Sequence, residues 1–298
     1  MQKILVGCSG WSYSGPPEKG GWGKIFYPNS ITKKLPFYGQ FFNTVEMDST
    51  FYEKFYKYMT KETFQRLEKM SPDNFEFSIK VPETITHIKR LDINKGAIIM
   101  LDEFLDKISP LQAAKKIGAI LIQLPPSFTV NDFKTVENFL DRLPRGYQYA
   151  LEFRHQSWNT EGPWEMLGHY NIAAVLTDSP FSDHLGFLSE IIITTVEHLF
   201  IRFHGRNAIH RYNYLYSKDE LCLWSERIKR LMETTIDGTT EIKVIRVYFN
   251  NHYGGKSIIN ALEFKDILGM GLPENARNIL QHARNYYPET TLDDIFKV

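Results

Sequence analysis

Eight short strand-like runs, most of them separated by helical segments, constrain this chain more than any other feature of its sequence. The runs lie at residues 4–10, 43–49, 75–81, 119–123, 149–154, 172–178, 199–205 and 243–251. Two of them, 119–123 and 172–178, are continuously apolar up to their polar last residues, which is typical of parallel strands buried on both faces. Strand and helix alternating over ~250 residues is the pattern of a parallel barrel. We therefore predict an α/β chain that forms a single (β/α)8 TIM barrel.

A doubly wound open sheet is the alternative fold. It is less favoured because eight strand units complete a barrel, and because no Gly-x-Gly-x-x-Gly turn follows the first strand. One domain is expected over residues 1–298, with an extra C-terminal helix and a tail over 272–298. The helix predicted at 100–117 is expected to end with Gly118 as its C-cap.

The charge balance gives no general attraction for a polyanion, because 35 basic residues stand against 35 acidic ones. Nucleic acid is therefore not indicated as a partner by charge. Cys8 and Cys222 lack metal-ligand spacing, which is typical of reduced thiols in the cytoplasm. No apolar segment approaches the ~20 residues that a membrane-spanning helix needs, and no signal sequence follows Met1. A soluble, cytoplasmic protein of undetermined oligomeric state is expected.

Polar side chains occupy the ends of all eight predicted strands. In a parallel barrel these carboxyl ends meet at one mouth, where barrel enzymes have their active sites. Pairs such as Glu152 and Arg154 lie two residues apart, so both side chains should face the barrel axis. The strand-end residues predicted to reach the mouth are Ser9, Glu46, Asp48, Lys80, Gln123, Glu152, Arg154, Asp178, Arg202, His204, Asn250 and Asn251.

A buried network of ion pairs is the structural alternative for these charges. The inward positions combine five acids with four bases, namely Glu46, Asp48, Glu76, Glu152 and Asp178 with Lys80, Arg154, Arg202 and Arg246. Unpaired charges at such depth would be very costly. Deeper members such as Glu76 and Arg246 are therefore expected to neutralise each other.

Several phrases of the sequence are similar to those of the YecE-like family, a domain of unknown function numbered 72. They are Gly-Cys-Ser-Gly-Trp-Ser-Tyr at 7–13, Phe-Tyr-Pro at 26–28, Phe-Asn-Thr-Val-Glu-Met-Asp-Ser-Thr-Phe-Tyr at 42–52, Phe-Ser-Ile-Lys-Val-Pro at 77–82, Thr-His at 86–87, Gln-Leu-Pro-Pro-Ser-Phe at 123–128, Glu-Phe-Arg-His-Gln-Ser-Trp at 152–158, Arg-Phe-His-Gly at 202–205 and Tyr-Phe-Asn-Asn-His at 248–252. The resemblance spans residues 4 to about 265 and implies a single TIM barrel, but it supplies no activity. The chain departs from the family pattern at Cys8, at Asp48, where an amide is usual, and in its longer loop 14–23.

Glu46 and Glu152 are the preferred acid/base candidates, because neighbouring Arg and Lys side chains can tune two carboxylates to different protonation states. His204 precedes Gly205, a position open to a ligand, and it completes the catalytic candidates together with Asp178.

A second set of side chains is expected to bind the ligand. Lys80, Arg154 and Arg202 can hold a phosphate or carboxylate, and aromatic loop residues can stack on a sugar or base. His87, His155 and His252 lie just past strand ends and are weaker candidates. The predicted ligand-binding residues are Ser9, Trp11, Tyr13, Asp48, Tyr52, Lys80, His87, Gln123, Arg154, His155, Trp158, Arg202, Asn250 and Asn251.

Three functions are compatible with these residues. The first is a metal-independent enzyme of hydrolase or isomerase type, acting on a small anionic or sugar-like ligand without a cofactor. The second is a metal-dependent phosphoesterase or isomerase, with a divalent ion held by Glu46, Glu152, Asp178 and His204. The third is a non-catalytic module that binds nucleic acid or a partner protein through its aromatic loops.

Overall fold

The strands form one parallel sheet that curls into a nearly closed ring. A computed structural model describes residues 2–179, 191–210, 212–233 and 242–287. The strands are β1 Lys3–Cys8, β2 Thr44–Met47, β3 Glu76–Lys80, β4 Ile117–Gln123, β5 Tyr149–Glu152, β6 Ala173–Asp178, β7 His198–Phe203 and β8 Val244–Phe249. Neighbours pair in parallel in the order β1-β8-β7-β6-β5-β4-β3-β2. Ser9 bridges to Glu46 and so joins β1 to β2. The chain is a single (β/α)8 TIM barrel, as predicted.

Helices follow most of the strands and cover the outside of the barrel. They are α1 Lys34–Tyr38, α2 Glu53–Tyr56, α3 Lys61–Met70, α4 Ala97–Ala113, α5 Phe133–Leu140, α6 Glu161–His169, α7 Lys218–Glu233, α8 Lys256–Ile267 and α9 Glu274–Tyr286. The predicted C-terminal helix is present as α9, where Ala276 and Ala283 are buried. The predicted tail beyond residue 287 lies outside the described residues. In the described ranges, no helix combines the length and apolar character needed to cross a membrane.

The prediction that Gly118 caps a helix is wrong. The helix α4 already ends at Ala113, and Lys115 adopts a left-handed φ of 57° in the turn that follows. The strand β4 then begins at Ile117 and includes Gly118. A Cβ atom at position 118 would stand 2.5 Å from Glu76 Oε1. Glycine is therefore needed for close packing inside the barrel and not for a helix terminus.

An apolar layer inside the barrel lies between a charged pair at the amino ends of the strands and polar side chains at their carboxyl ends. The apolar interior layer consists of Ala119, Leu121, Ala150, Ala173, Val175, Phe200 and Tyr248. At the amino end, Arg246 Nε donates to Glu76 Oε1 at 2.7 Å, which confirms the predicted neutralisation of this pair. Strand alternation places Glu152 on the same face as Ala150, and Arg202 on the same face as Phe200. The polar layer above the apolar one therefore faces the barrel axis.

Candidate active site

One arginine joins the two carboxylates that the sequence marked as acid/base candidates. From β7, Arg202 donates through Nε and Nη2 to the two carboxylate oxygens of Glu46 on β2, at 2.7 Å each. Its Nη1 donates to Glu152 Oε2 on β5 at 2.5 Å. All three side chains are at most 2% exposed. The arrangement matches the buried ion network that was the structural alternative.

A chain of polar contacts extends this triad across the barrel mouth. Gln123 Nε2 donates to Glu152 Oε1 at 2.7 Å, and Lys80 Nζ donates to Gln123 Oε1 at 2.7 Å. Arg154 Nη1 donates to the same oxygen at 3.4 Å. The Lys80 ammonium also lies 3.5 Å from the centre of the Phe51 ring. Burial, and next the Arg202 charge, lower the pKa of Lys80 to about 7.

A cavity of about 390 Å³ opens beside this network, between the loops that follow β1, β2 and β8. Its described lining consists of Gly10, Trp11, Ser12, Tyr13, Met47, Asp48, Ser49, Tyr52, Phe55 and His252. The cavity thus brings together four of the residues that were predicted to bind a ligand, namely Trp11, Tyr13, Asp48 and Tyr52. Among these described lining residues, Asp48 carries the single carboxylate and there is no lysine or arginine.

Asp48 is the carboxylic acid of the described lining, and its pKa is shifted upward. Burial, and next the charge of Glu46, raise the pKa of Asp48 to about 6, although Lys80 and Arg202 act in the opposite direction. A carboxyl group with this pKa is present in both protonation states near neutral pH. It can therefore both take up and release a proton in contact with a ligand in the cavity.

Aromatic rings form the wall of the cavity on the β1 and β8 side. The rings of Tyr13 and His252 are stacked, with centroids 4.4 Å apart and planes inclined by 14°. Burial, and next the Asp48 charge, raise the pKa of Tyr13 well above its usual value, so the phenol keeps its proton. That hydroxyl donates to Ser9 O at 3.0 Å. Burial lowers the pKa of His252 to about 4, so the Tyr13–His252 wall is uncharged at neutral pH.

Asp178 lies away from the cavity, which corrects the expectation that it faces the axis. Alternation along β6 puts Val175 inside the barrel and Asp178 on the helix side. Its carboxylate accepts from Arg206 Nε at 3.1 Å and Nη2 at 2.8 Å, and from Trp224 Nε1 at 3.1 Å. The carboxylate therefore anchors α7 and the loop after β7. A continuously apolar strand offers no alternation from which this orientation could be read.

Trp158 is also placed outside the cavity. The side chain is fully buried, stacks on Phe153 with centroids 4.4 Å apart, and donates from Nε1 to Phe128 O at 2.9 Å. It packs the loops after β4 and β5 against each other. His155 accepts from Ser157 N at 3.1 Å and so caps the turn that carries Trp158.

The remaining predicted residues hold loops at the mouth. Ser9 is fully buried beneath the cavity. Asn250 Nδ2 lies 2.9 Å from His204 Nδ1, and neither residue belongs to the cavity lining. Asn251 Nδ2 donates to Tyr214 O and to Asn260 Oδ1, at 2.8 Å each, and thereby ties β8 to α8.

His87 contacts Thr86 Oγ1 through Nδ1 at 2.8 Å. Burial, and next Lys80, lower the pKa of His87 to about 4.

Sequence reasoning assigned no functional role to five lining residues, Gly10, Ser12, Met47, Ser49 and Phe55. Phe55 belongs to an aromatic run at 51–58 that directly follows a predicted strand, and this run was a usable signal. The two serines gave no signal, because isolated serines are common in loops.

The four residues proposed as metal ligands do not form one site. Glu46 and Glu152 are bound by Arg202, while Asp178 is bound by Arg206 on the outer face of β6. Within the part of the chain that the structure describes, no group of three or more His, Cys, Asp or Glu side chains is arranged to hold a metal ion. The donor set of the second function therefore does not fit this geometry.

Comparison with known proteins identifies the family. The model of the family described as "Protein of unknown function DUF72" matches residues 5–282. The chain belongs to the DUF72 family. The match continues beyond residue 265, where the sequence resemblance was expected to end, and includes most of α9.

Two curated DUF72 relatives and one solved structure are similar to this chain. The UPF0759 protein YunF of Bacillus subtilis is 25% identical over 89% of this chain and 94% of its own length. The UPF0759 protein YecE of Escherichia coli K12 is 33% identical over 54% of this chain and 52% of its own length. The crystal structure of a DUF72 family protein from Thermotoga maritima MSB8 has a TM-score of 0.75 and 29% identity, covering 90% of this chain and 100% of that one. These relatives support the YecE-like assignment and the fold.

Proposed function

We propose that this DUF72 protein is an enzyme that performs acid/base catalysis on a small sugar-like ligand in the cavity at the barrel mouth. Asp48 is the acid/base group. The observation that carries the proposal is a carboxyl group with a pKa of about 6 in the wall of a cavity of about 390 Å³. A carboxyl pKa raised by burial inside a cleft is a recognised mark of a functional site, and the volume lies within the range of small-molecule pockets.

Asp48 is better placed for this role than Glu46 or Glu152. Those two carboxylates are fully buried, are held by Arg202, and do not belong to the described lining of the cavity. Glu46 instead acts on Asp48 through its negative charge, which helps to raise the pKa of Asp48. Asp48 stands where the family pattern has an amide. The proposed role of Asp48 therefore applies to this chain and not to the family as a whole.

The lining favours a sugar-like ligand over an anionic one. Lys80, Arg154 and Arg202, which were expected to bind an anion, are not among the described lining residues. The walls instead offer the rings of Trp11 and Tyr52, with hydroxyl groups from neighbouring serines. Aromatic faces with polar edges suit a ligand that has apolar faces and hydroxyl edges.

The proposal is tested with a panel of monosaccharides, their phosphates and their methyl glycosides. Binding is measured by saturation-transfer NMR, and conversion of each compound is followed by proton NMR. We expect binding and conversion of at least one uncharged compound by the wild-type protein. The Asp48→Asn variant should bind the same compound and convert it ~10²–10⁴-fold more slowly, which is the usual contribution of a positioned acid/base group.

The matched control replaces the exposed residue Asp73 by Asn and should leave conversion unchanged. Full conversion by the Asp48→Asn variant would contradict the role of Asp48. Failure of the wild-type protein to bind any uncharged member of the panel would contradict the ligand class.

A further inference from the structure

His252 is held between two tyrosine rings at the wall of the cavity. Its ring centroid lies 4.4 Å from that of Tyr13 and 5.0 Å from that of Tyr212, with interplanar angles of 14° and 25°. Its backbone oxygen accepts a hydrogen bond from Trp22 Nε1 at 2.8 Å. The imidazole is therefore fixed in position before a ligand arrives, as a group that acts on a substrate needs to be.

The two ring nitrogens of His252 have different surroundings. Nδ1 is buried and has no hydrogen-bond partner among the described residues. A proton on Nδ1 would be a buried donor without an acceptor, so the tautomer with its proton on Nε2 is favoured. Burial also lowers the pKa of His252 to about 4, which keeps the ring neutral at pH 7. His252 belongs to the lining of the cavity, and Nδ1 is buried, so we infer that Nε2–H is the donor that a ligand meets.

The pairing of one carboxyl group with one neutral imidazole selects among reaction types. Most glycosidases need two carboxylates flanking the bond that breaks. Among the described residues of the lining, Asp48 is the single carboxylate, and Glu46 is bound by Arg202 through both oxygens. A carboxylate that takes a proton beside a carbonyl, combined with a neutral histidine that polarises the carbonyl oxygen, is a known solution for enolisation.

Asp48 and His252 can act on one small ligand. Asp48 directly follows β2, and His252 follows β8; β1 lies between these strands in the ring. Tyr13, in the loop after β1, stacks on His252 and lies close enough to Asp48 for its pKa to be raised by that charge. Both residues line the same cavity, and Tyr13 neighbours each of them.

We propose that the cavity binds a sugar with a free carbonyl group, an aldose or a ketose, and that His252 Nε2–H donates to the carbonyl oxygen while Asp48 moves the proton of the neighbouring carbon. The inference rests on the proposed function at the same cavity and narrows it to isomerisation or epimerisation. It makes His252 a catalytic residue for this chain.

The steps for an aldose balance without a further reactant. The C2–H bond breaks and its proton goes to the Asp48 carboxylate, while the electron pair forms a C1=C2 double bond. The carbonyl π pair moves to O1, which takes the proton from His252 Nε2. Nε2 then takes the proton of O2, C2=O forms, and the Asp48 proton is delivered to C1. The products are a ketose and the original protonation states of both residues.

The test follows solvent deuterium into free sugars by proton NMR in deuterium oxide, with methyl glycosides as substrates that lack a carbonyl. Wild-type protein should exchange the hydrogen beside the carbonyl of at least one free sugar and leave the glycosides intact. The His252→Phe variant keeps a ring between Tyr13 and Tyr212 but has no donor, so its kcat should fall ~10²-fold or more with little change in KM. The His252→Gln variant restores a donor and should recover part of the loss.

Exchange that continues at the wild-type rate in a folded His252→Phe variant would overturn the role of His252. Hydrolysis of a methyl glycoside without exchange into free sugars would overturn the substrate class. Either result leaves the proposed function in place if conversion still depends on Asp48. Conversion that is independent of Asp48 would refute the proposed function itself.

Discussion

Replacing Asp48 by Asn is expected to stabilise the fold while it slows catalysis. Burial raises the pKa of Asp48 from its usual value of 3.8 to about 6. Between about pH 4 and pH 6 the native state therefore keeps a proton that the unfolded chain has released. The stability of the wild-type protein falls as the pH rises through this window, and the Asn variant lacks this loss.

The magnitude follows from the size of the pKa shift. Each pKa unit corresponds to ~1.4 kcal/mol. The charged form of Asp48 therefore costs the native state up to about 3 kcal/mol above pH 6. The Asn variant should be more stable than wild type by up to this amount at about pH 7.5, and the gain should disappear below about pH 4, where Asp48 is protonated in both states.

Urea denaturation at several pH values measures this difference directly, because the free energy of unfolding is obtained by linear extrapolation. The Asp73→Asn variant is the matched control, and its effect should stay within ~0.5 kcal/mol, as for other exposed sites. A loss of stability in Asp48→Asn at about pH 7.5 would refute the reasoning, since it would show that the carboxylate stabilises the native state.

Three further predictions concern the residues around the site. The Arg202→Met variant leaves two buried carboxylates without their partner and should lose ~3–5 kcal/mol in urea denaturation; an unchanged midpoint would contradict the ion network. The Gly7→Ala variant would place Cβ 2.4 Å from Thr44 O and should lose ~1–3 kcal/mol in the same assay; wild-type stability would show that β1 and β2 can separate at no cost. The Asp178→Asn variant weakens the contacts to Arg206 and should lose ~1–3 kcal/mol of stability in the same assay. Its turnover, measured at a temperature where it is folded, should remain near that of wild type. A loss of turnover as large as that of Asp48→Asn would show that Asp178 takes part in catalysis.

The barrel and its central charges could be predicted from the sequence because both depend on local patterns. Alternation along β5 identified Glu152 and Arg154 as axis-facing residues, and the structure places Glu152 in the triad. The continuously apolar strand β6 lacks alternation, so the outward side chain of Asp178 could not be read from it. The turn at Lys115 was missed because left-handed backbone at a non-glycine residue has no clear sequence signal.

The acidity of Asp48 could not be predicted from its own strand. Its pKa depends on burial by loops that are distant in sequence and on the charge of Glu46. In the same way, the stacking of His252 between Tyr13 and Tyr212 joins three separate segments. A single sequence shows which residues stand at strand ends, whereas the contacts between the following loops depend on the tertiary fold.

The titration of the Asp48 carboxyl group tests the central claim most directly. Carbon-13 NMR of protein labelled at the aspartate carboxyl carbons measures it, and the resonance that disappears in the Asp48→Asn variant gives the assignment. The proposed role predicts a midpoint near pH 6. A midpoint near pH ~4, the ordinary value for an aspartate, would show that the cavity does not hold a carboxyl group prepared for proton transfer at neutral pH.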